Sequence, residues 1–290
     1  MAAEIIDGVK VARRVEQEVK GAISRMPVKP GLATILVGED PASAVYVGSK
    51  RRMCVELGIR DLHQRVSGNV SQRELGELIT RLSGDPEVTG ILLQLPVPAH
   101  LDSAALIELI HPDKDVDGLC VLNAGRLARD MPGLYPCTPL GVMELLDAHN
   151  VALTGQKITV VGRSNLVGWP LAQMLLKRDA TVTSSDEFTP DLSAACIQSD
   201  VLIVATGVQN LIDERHVKPG ATVIDVGIHR TEDGLVGDVN HPVVENIAAL
   251  LSPVPGGVGP MTIAMLMKNT LRAAELQGYE IPDTPAQDAA

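Results

Sequence analysis

Aromatic residues are scarce in this chain: one Trp, three Tyr and one Phe among 290 residues. So few rings exclude a base-stacking platform for nucleic acid and an aromatic belt at a membrane interface. Cysteine is equally sparse. Cys54, Cys120, Cys137 and Cys196 form no CxxC pair, which argues against a zinc knuckle and a disulfide framework and leaves four reduced, mostly buried thiols. The seven histidines make no HExxH or HxH pattern, so no metal is implied. Positive charge is short as well. Against 36 Asp and Glu stand 25 Lys and Arg, a net charge of −11, with no basic stripe to neutralise a phosphate backbone, and nucleic acid is not an expected partner. The longest apolar runs, such as VLIVA at 201–205, fall far below the roughly 20 residues a membrane-spanning helix needs. The opening MAAEIIDGVK has no basic stretch followed by an apolar one, so a secretory signal is not expected and the cytoplasm is the expected compartment.

What is present reads as a globular α/β protein. Hydrophobic residues make up 45% and charged ones 21%, and at a soft prior of about 150 residues per domain the length suggests two domains. Val11, Val15, Val19 and Ala22 recur at helical spacing ahead of the β-rich block LATILV at 32–37. Helical patterns at 41–57 and 71–82 then alternate with strand-like pieces near 59–66 and at 89–95, and a short helix is expected near 103–110. The polar HPDKDVDG at 111–118 reads as a loop. Thr138-Pro139 is expected to cap a helix running to about Asn150. The runs KITVV, ATVTS, DVLIVAT and ATVIDVG between 157 and 227 then predict a doubly wound parallel sheet. A final helix over 262–278 is expected to pack back on the first domain. The domains are expected at 1–138 and 139–261, with residues 280–290 a disordered tail.

Several positions could carry chemistry. Gly162 and Gly168 sit where KITVV turns into a helix, the place where helix N-terminal amides receive a pyrophosphate, although GxSxxxG also suits a plain tight turn. Asp186, just past the next strand, could grip ribose hydroxyls or be a surface carboxylate. Tyr46 and Lys50 are four apart on a helix and within mutual reach, either as a functional pair or as a solvated Lys beside a partly buried Tyr. Gln94 ends an apolar strand and needs a partner or a ligand there. Asp113, Asp115 and Asp117 crowd one loop, as a cation site, a ligand site or a solvated turn. SPVPGGVGPMT at 252–262 is a rigid loop before a helix.

Read in order, PASAVYVGSK, QLPVP, DKDVDG, YPCTP, VVGRSNLVGWP, VIDVGI and PVPGGVGPMT resemble the bifunctional methylenetetrahydrofolate dehydrogenase/methenyltetrahydrofolate cyclohydrolase family over nearly the whole chain. The resemblance implies an N-terminal αβ catalytic domain, a Rossmann-like NAD(P) domain and a homodimer acting on tetrahydrofolate derivatives in one-carbon metabolism. It implies that Lys50 is catalytic, that Tyr46 lies against the aminobenzoate ring, that Gln94 orients Lys50 and that Asp117 holds the pterin. Pro255, Gly256, Gly257 and Thr262 would complete the substrate side. Gly162, Arg163, Ser164 and Gly168 match the dinucleotide turn, Ile228 falls where the family contacts the nicotinamide half, and Thr206 and Gly207 are its neighbours.

One segment departs from that pattern. Where the family carries a His-Ser and a basic residue, this chain has SSDEFTP, so Asp186 and Glu187 replace the expected polar pair. NADP, the family default, is thereby set against NAD, which two carboxylates favour by repelling a 2′-phosphate, while Arg163, which can bind that phosphate, is retained. Trp169 stands where an Arg is common. Rival readings are a single-activity enzyme of the same fold and a non-catalytic folate or dinucleotide binder.

Overall fold

A computed structural model of the chain describes residues 2–232 and 234–282; most of the tail expected to be disordered, 283–290, lies outside the described residues. The chain divides into two compact units, one formed by the residues up to Arg13 with Pro136–Met265, the other by Arg14–Tyr135 with the residues from Leu266 onward.

The second of these is built on the strand Gly31–Val37, whose residues are all buried. Such a strand reads as a continuous apolar run because helices cover both faces of a parallel sheet. It pairs on one side with Gly90–Leu93. The piece expected near 59–66 is two short strands, Arg60–Asp61 and Gln64–Val66, that follow one register against Gly31–Val37. At the break, His63 Nδ1 lies 3.0 Å from the Thr34 carbonyl, a side chain standing in for a missing backbone rung. Ile35, Leu75, Ile79, Ile91 and Leu106 anchor the core here, each contributing on the order of 1.5–3 kcal/mol by burial. The helix predicted near 103–110 is shorter, Ser103–Ile107, and the loop after it contains a 3-10 turn, Pro112–Lys114.

The other unit is a parallel sheet of six strands in the order Glu4–Ile5, Leu250–Leu251, Thr222–Asp225, Val201–Val204, Lys157–Val161, Thr181–Ser185. Four of these were predicted; the two-residue strands at one edge are too short to show a period. The chain leaves Lys157–Val161 toward the edge strand Thr181–Ser185 and then crosses back to Val201–Val204. The strand order therefore reverses there, and in open α/β sheets ligands bind in the crevice beyond the carboxyl ends at such a point. Thr138 does not cap its helix. The helix spans Cys137–Ala148, so the cap position falls on Pro136, whose side chain has no hydrogen-bonding atom, and Thr138 lies inside the first turn with its hydroxyl paired with Thr262 Oγ1 at 3.0 Å.

The first helix, Gly8–Arg25, buries Val11, Val15, Val19 and Ile23, with Ala22 only half-buried. The last helix runs Val258–Leu276, earlier than expected, and its residues from Leu266 belong to the unit of Arg14–Tyr135. Among the described residues no helix is long and apolar enough to cross a membrane.

Candidate functional site

In the unit of Arg14–Tyr135, Asp40 accepts a hydrogen bond from Ser43 N at 2.7 Å and Pro41 opens the helix Pro41–Leu57, which Gly58 closes in a left-handed conformation. That is the start and stop chemistry expected of a helix. Ser43, Val47, Cys54 and Leu57 are buried; Lys50, half-buried, continues the same helical stripe between Val47 and Cys54, and Tyr46, half-exposed, stands one turn before it. Lys50 Nζ donates to Gln94 Oε1 at 3.0 Å. The amide is oriented by its own second bond, Nε2 to the Leu95 carbonyl at 2.6 Å, and by its backbone N–H on the Ile35 carbonyl. A polar residue at the end of a buried strand has thus found the lysine. The acceptor is uncharged, so it aims the amine without adding a counter-ion.

The aspartate-rich loop is not one cluster of equals. Asp113 is ion-paired with Arg126 at 2.7 Å. Asp115 is buried and accepts from Cys120 N and Asn123 Nδ2, and its burial pushes the carboxyl upward. Lys114 is buried with Nζ on the Asp85 carbonyl at 2.7 Å, and desolvation lowers its pKa. Asp117, half-buried, is committed to no hydrogen bond or ion pair among the described residues. Its loop is pinned by Asn269, whose Nδ2 donates to the Val116 and Tyr135 carbonyls, both at 2.8 Å. Among the described residues no group of three or more His, Cys, Asp or Glu is placed to hold a metal.

In the other unit a cavity of about 600 Å³ opens beside the reversal of strand order, with Gly162, Arg163, Ser164, Asp186, Glu187 and Thr206 on its walls. Gly162 has φ +96°, and a Cβ there would meet the Ala205 carbonyl oxygen at 2.1 Å; a Cβ on Gly168 would meet the Gly162 oxygen at 1.9 Å. The two glycines let the start of helix Gly168–Leu176 lie directly on the turn, where Trp169 N donates to the Ser164 carbonyl at 3.0 Å, and that helix has no side-chain cap bond. Arg163 Nε lies 2.6 Å from Asp186 Oδ2. Glu187 is exposed. The cradle, whose close contacts any side chain would fill, fits a dinucleotide pyrophosphate. Gly168, Gly207 and Ile228 are not among the cavity walls. Ile228 is half-exposed, and Trp169 is exposed one residue into the helix.

The loop at 252–262 is partly helix. Gly256 has φ +101°, and a Cβ on Gly8 would meet the Gly257 oxygen at 1.8 Å, so the glycines there serve a close approach of backbone to backbone. The Val254–Pro255 peptide is cis. Thr262 lies in the last helix, not in the loop, with its hydroxyl on Thr138.

Reading the sequence missed Phe188, Thr189, Leu192, Val208 and Leu211, all on the cavity wall. Phe188, the only Phe in the chain, is 75% exposed; its place within the departing SSDEFTP segment was the available signal.

Comparison with known proteins places two family models end to end on the chain. Residues 6–117 match the tetrahydrofolate dehydrogenase/cyclohydrolase catalytic domain, and residues 136–278 match the NAD(P)-binding domain of the same family. The "Bifunctional protein FolD 2" of Frankia alni is 57% identical over 278 residues, spanning 94% of this chain and 96% of that protein. The bifunctional enzyme FolD of Campylobacter jejuni superposes with a TM-score of 0.93 at 43% identity, covering 95% of this chain and all of that one. A Trypanosoma brucei methylenetetrahydrofolate dehydrogenase-cyclohydrolase, solved with NADP and an inhibitor, gives 0.90 at 36% identity over 96% of this chain and 99% of that one.

Proposed function

The chain belongs to the tetrahydrofolate dehydrogenase/cyclohydrolase family, and from that premise we propose which of its residues carry the two reactions. The enzyme oxidises 5,10-methylenetetrahydrofolate to the 5,10-methenyl form with a nicotinamide cofactor and hydrolyses the product to 10-formyltetrahydrofolate. A bound nicotinamide supplies the hydride acceptor for the first reaction. The substrate needs no strong base there, because the two nitrogens flanking the one-carbon bridge share the positive charge as it forms. The protein's part is to hold the folate, with Tyr46 against the aminobenzoate ring and Asp117 accepting from the pterin. Pro255, Gly256, Gly257 and Thr262 are proposed on the same substrate.

Hydrolysis makes the heavier demand. Water oxygen bonds to the methenyl carbon and gives up both of its protons, the bond from that carbon to N5 breaks as the formyl C=O forms, and one proton goes to N5 while the other is released to solvent. Lys50 Nζ is the relay between the water oxygen and N5, and Gln94 aims it. The 3.0 Å contact of Lys50 Nζ with Gln94 Oε1 carries this assignment. Replacing Lys50 with Met should lower the cyclohydrolase rate at least about a hundredfold, the usual worth of a positioned proton-transfer group, while folate binding stays measurable by titration. Retained cyclohydrolase activity in that variant would end the role.

For the cofactor, Gly162, Arg163, Ser164, Gly168, Asp186, Glu187, Thr206, Gly207 and Ile228 are the proposed contacts, and NAD is favoured over NADP. Arg163 already faces Asp186 at 2.6 Å, so a 2′-phosphate would have to displace one carboxylate and approach a second, Glu187. The ribose hydroxyls of NAD can instead donate to Asp186. Two copies of the chain are proposed to associate, as the family resemblance implies, and the cytoplasm is the compartment proposed for them.

A further inference from the structure

We propose that Asp238 is a positioning residue for the dehydrogenase reaction, a buried carboxylate that ties together two segments lying against the cofactor. Its side chain is fully buried. Oδ2 accepts from three donors of one short segment: Thr206 N at 2.6 Å, Thr206 Oγ1 at 3.0 Å and Gly207 N at 3.0 Å. Oδ1 lies 2.7 Å from His229 Nε2, and His229 follows directly on Ile228. Thr206 is a wall of the dinucleotide cavity, and Ile228 is the residue expected at the nicotinamide half. One side chain therefore fixes the spacing between them.

The surroundings are built to keep it there. The second buried carboxylate, Asp225, accepts from the backbone N–H of Asp238, Val239 and Gly227, each at 3.0 Å, and lies 3.0 Å from His241 Nε2. A Cβ on Gly227 would come within 2.2 Å of Asp238 Oδ1, so glycine at that position is what admits the carboxylate. Donors that converge on a charged acceptor make stronger bonds than neutral pairs. Three of them on a single oxygen leave the Thr206–Gly207 turn little freedom, and Gly207 is held there at φ +70°.

The inference rests on this cavity holding the cofactor, and it separates the two reactions of the enzyme. Hydrolysis of methenyltetrahydrofolate uses no nicotinamide, so it serves as the internal control for folding. Asp238→Ala should weaken equilibrium binding of the reduced cofactor, followed by nicotinamide fluorescence, by about tenfold or more, roughly the loss of one charge-assisted bond. The KM for oxidised cofactor should rise in parallel. The cyclohydrolase rate and the KM for methylenetetrahydrofolate should stay within about twofold of the parent. Asp238→Asn, which keeps the shape and one acceptor, should fall between the two, and it carries the test if the alanine variant fails to fold. Equal loss of both activities in the folded variants would mean that Asp238 only supports the fold, and unchanged cofactor binding would overturn the inference outright. A parent enzyme that binds no reduced cofactor would instead refute the cavity assignment beneath it.

Discussion

Arg163 and Asp186 decide more between them than either does alone. An exposed ion pair is worth little in stability, about 0–1 kcal/mol, yet this one stands at the rim of the cavity, where the consequence proposed for it is selectivity. With Asp186 in place the guanidinium has a counter-ion. Without it, a 2′-phosphate becomes the best available partner. The parent enzyme should give the higher kcat/KM with NAD. Asp186→Ser should shift the NADP-to-NAD ratio toward NADP by about tenfold, the worth of roughly one charge-assisted bond, as read from initial rates with each cofactor at constant folate. A ratio that does not move would show that Asp186 has no part in the choice. At this scale the sequence was most legible where a residue violates its local pattern. Gln94 stands out because its neighbours are apolar, and it meets Lys50. The glycines at 162 and 168 stand out because a strand runs directly into a helix, and both prove to be close approaches. Asp238 is one carboxylate among 36 acidic residues. Its role arises from partners far along the chain, which spacing does not record.

Elements were legible in kind and less so at their ends. The apolar runs of a parallel sheet announce themselves because both faces are covered, so Lys157–Val161 was read with its exact bounds. The Thr138 cap failed because the helix starts one residue earlier, at Cys137, which leaves the Thr138 hydroxyl to pair with Thr262 on the last helix. The pause at Leu62–His63 could not be seen either, since a side chain replaces the rung. The last helix joins element to site within one unit. Asn269, itself buried, is the tie between that helix and the loop that carries Asp117. Asn269→Leu keeps the volume and removes both hydrogen bonds to the Val116 and Tyr135 carbonyls. Each hydrogen bond lost at a buried site costs about 1–3 kcal/mol, so a destabilisation of about 2–4 kcal/mol is expected in urea unfolding. Because the loop is freed as well, the KM for the folate should rise while the affinity for the cofactor holds. A stability loss with an unchanged folate KM would confine Asn269 to the fold.

At the scale of the whole molecule, each unit is assembled from segments far apart in the chain; the return of the last helix to the first domain was legible, and the place of the N-terminal strand in the other unit was not. The strand Glu4–Ile5 pairs with Leu250–Leu251, a contact spanning almost the full length through two-residue strands that carry no periodic signal. The same assembly buries all four cysteines, each a free thiol, in agreement with their reading as reduced, mostly buried thiols. Burial pushes the thiols of Cys54, Cys120 and Cys196 up to about 12 from 9.0, so the reactive thiolate is nearly absent from the folded protein at neutral pH. A disulfide reagent should therefore release no chromophore from the native enzyme at pH 8 and the signal of four thiols in denaturant. The pH dependence follows from the same shifts. A folded-state pKa raised above the unfolded one stabilises fully below the unfolded value, and that stability drains away as pH rises toward the folded value. For these thiols the window runs from 9.0 to about 12. Thermal unfolding followed across that range should show Tm falling with rising pH, and the fall should become shallower in a Cys196→Ala variant, where one of the three contributions is gone. A slope identical to the parent's would mean that the Cys196 thiol ionises alike in both states, and fast labelling of the native enzyme would mean that these cores open far more often than their packing implies.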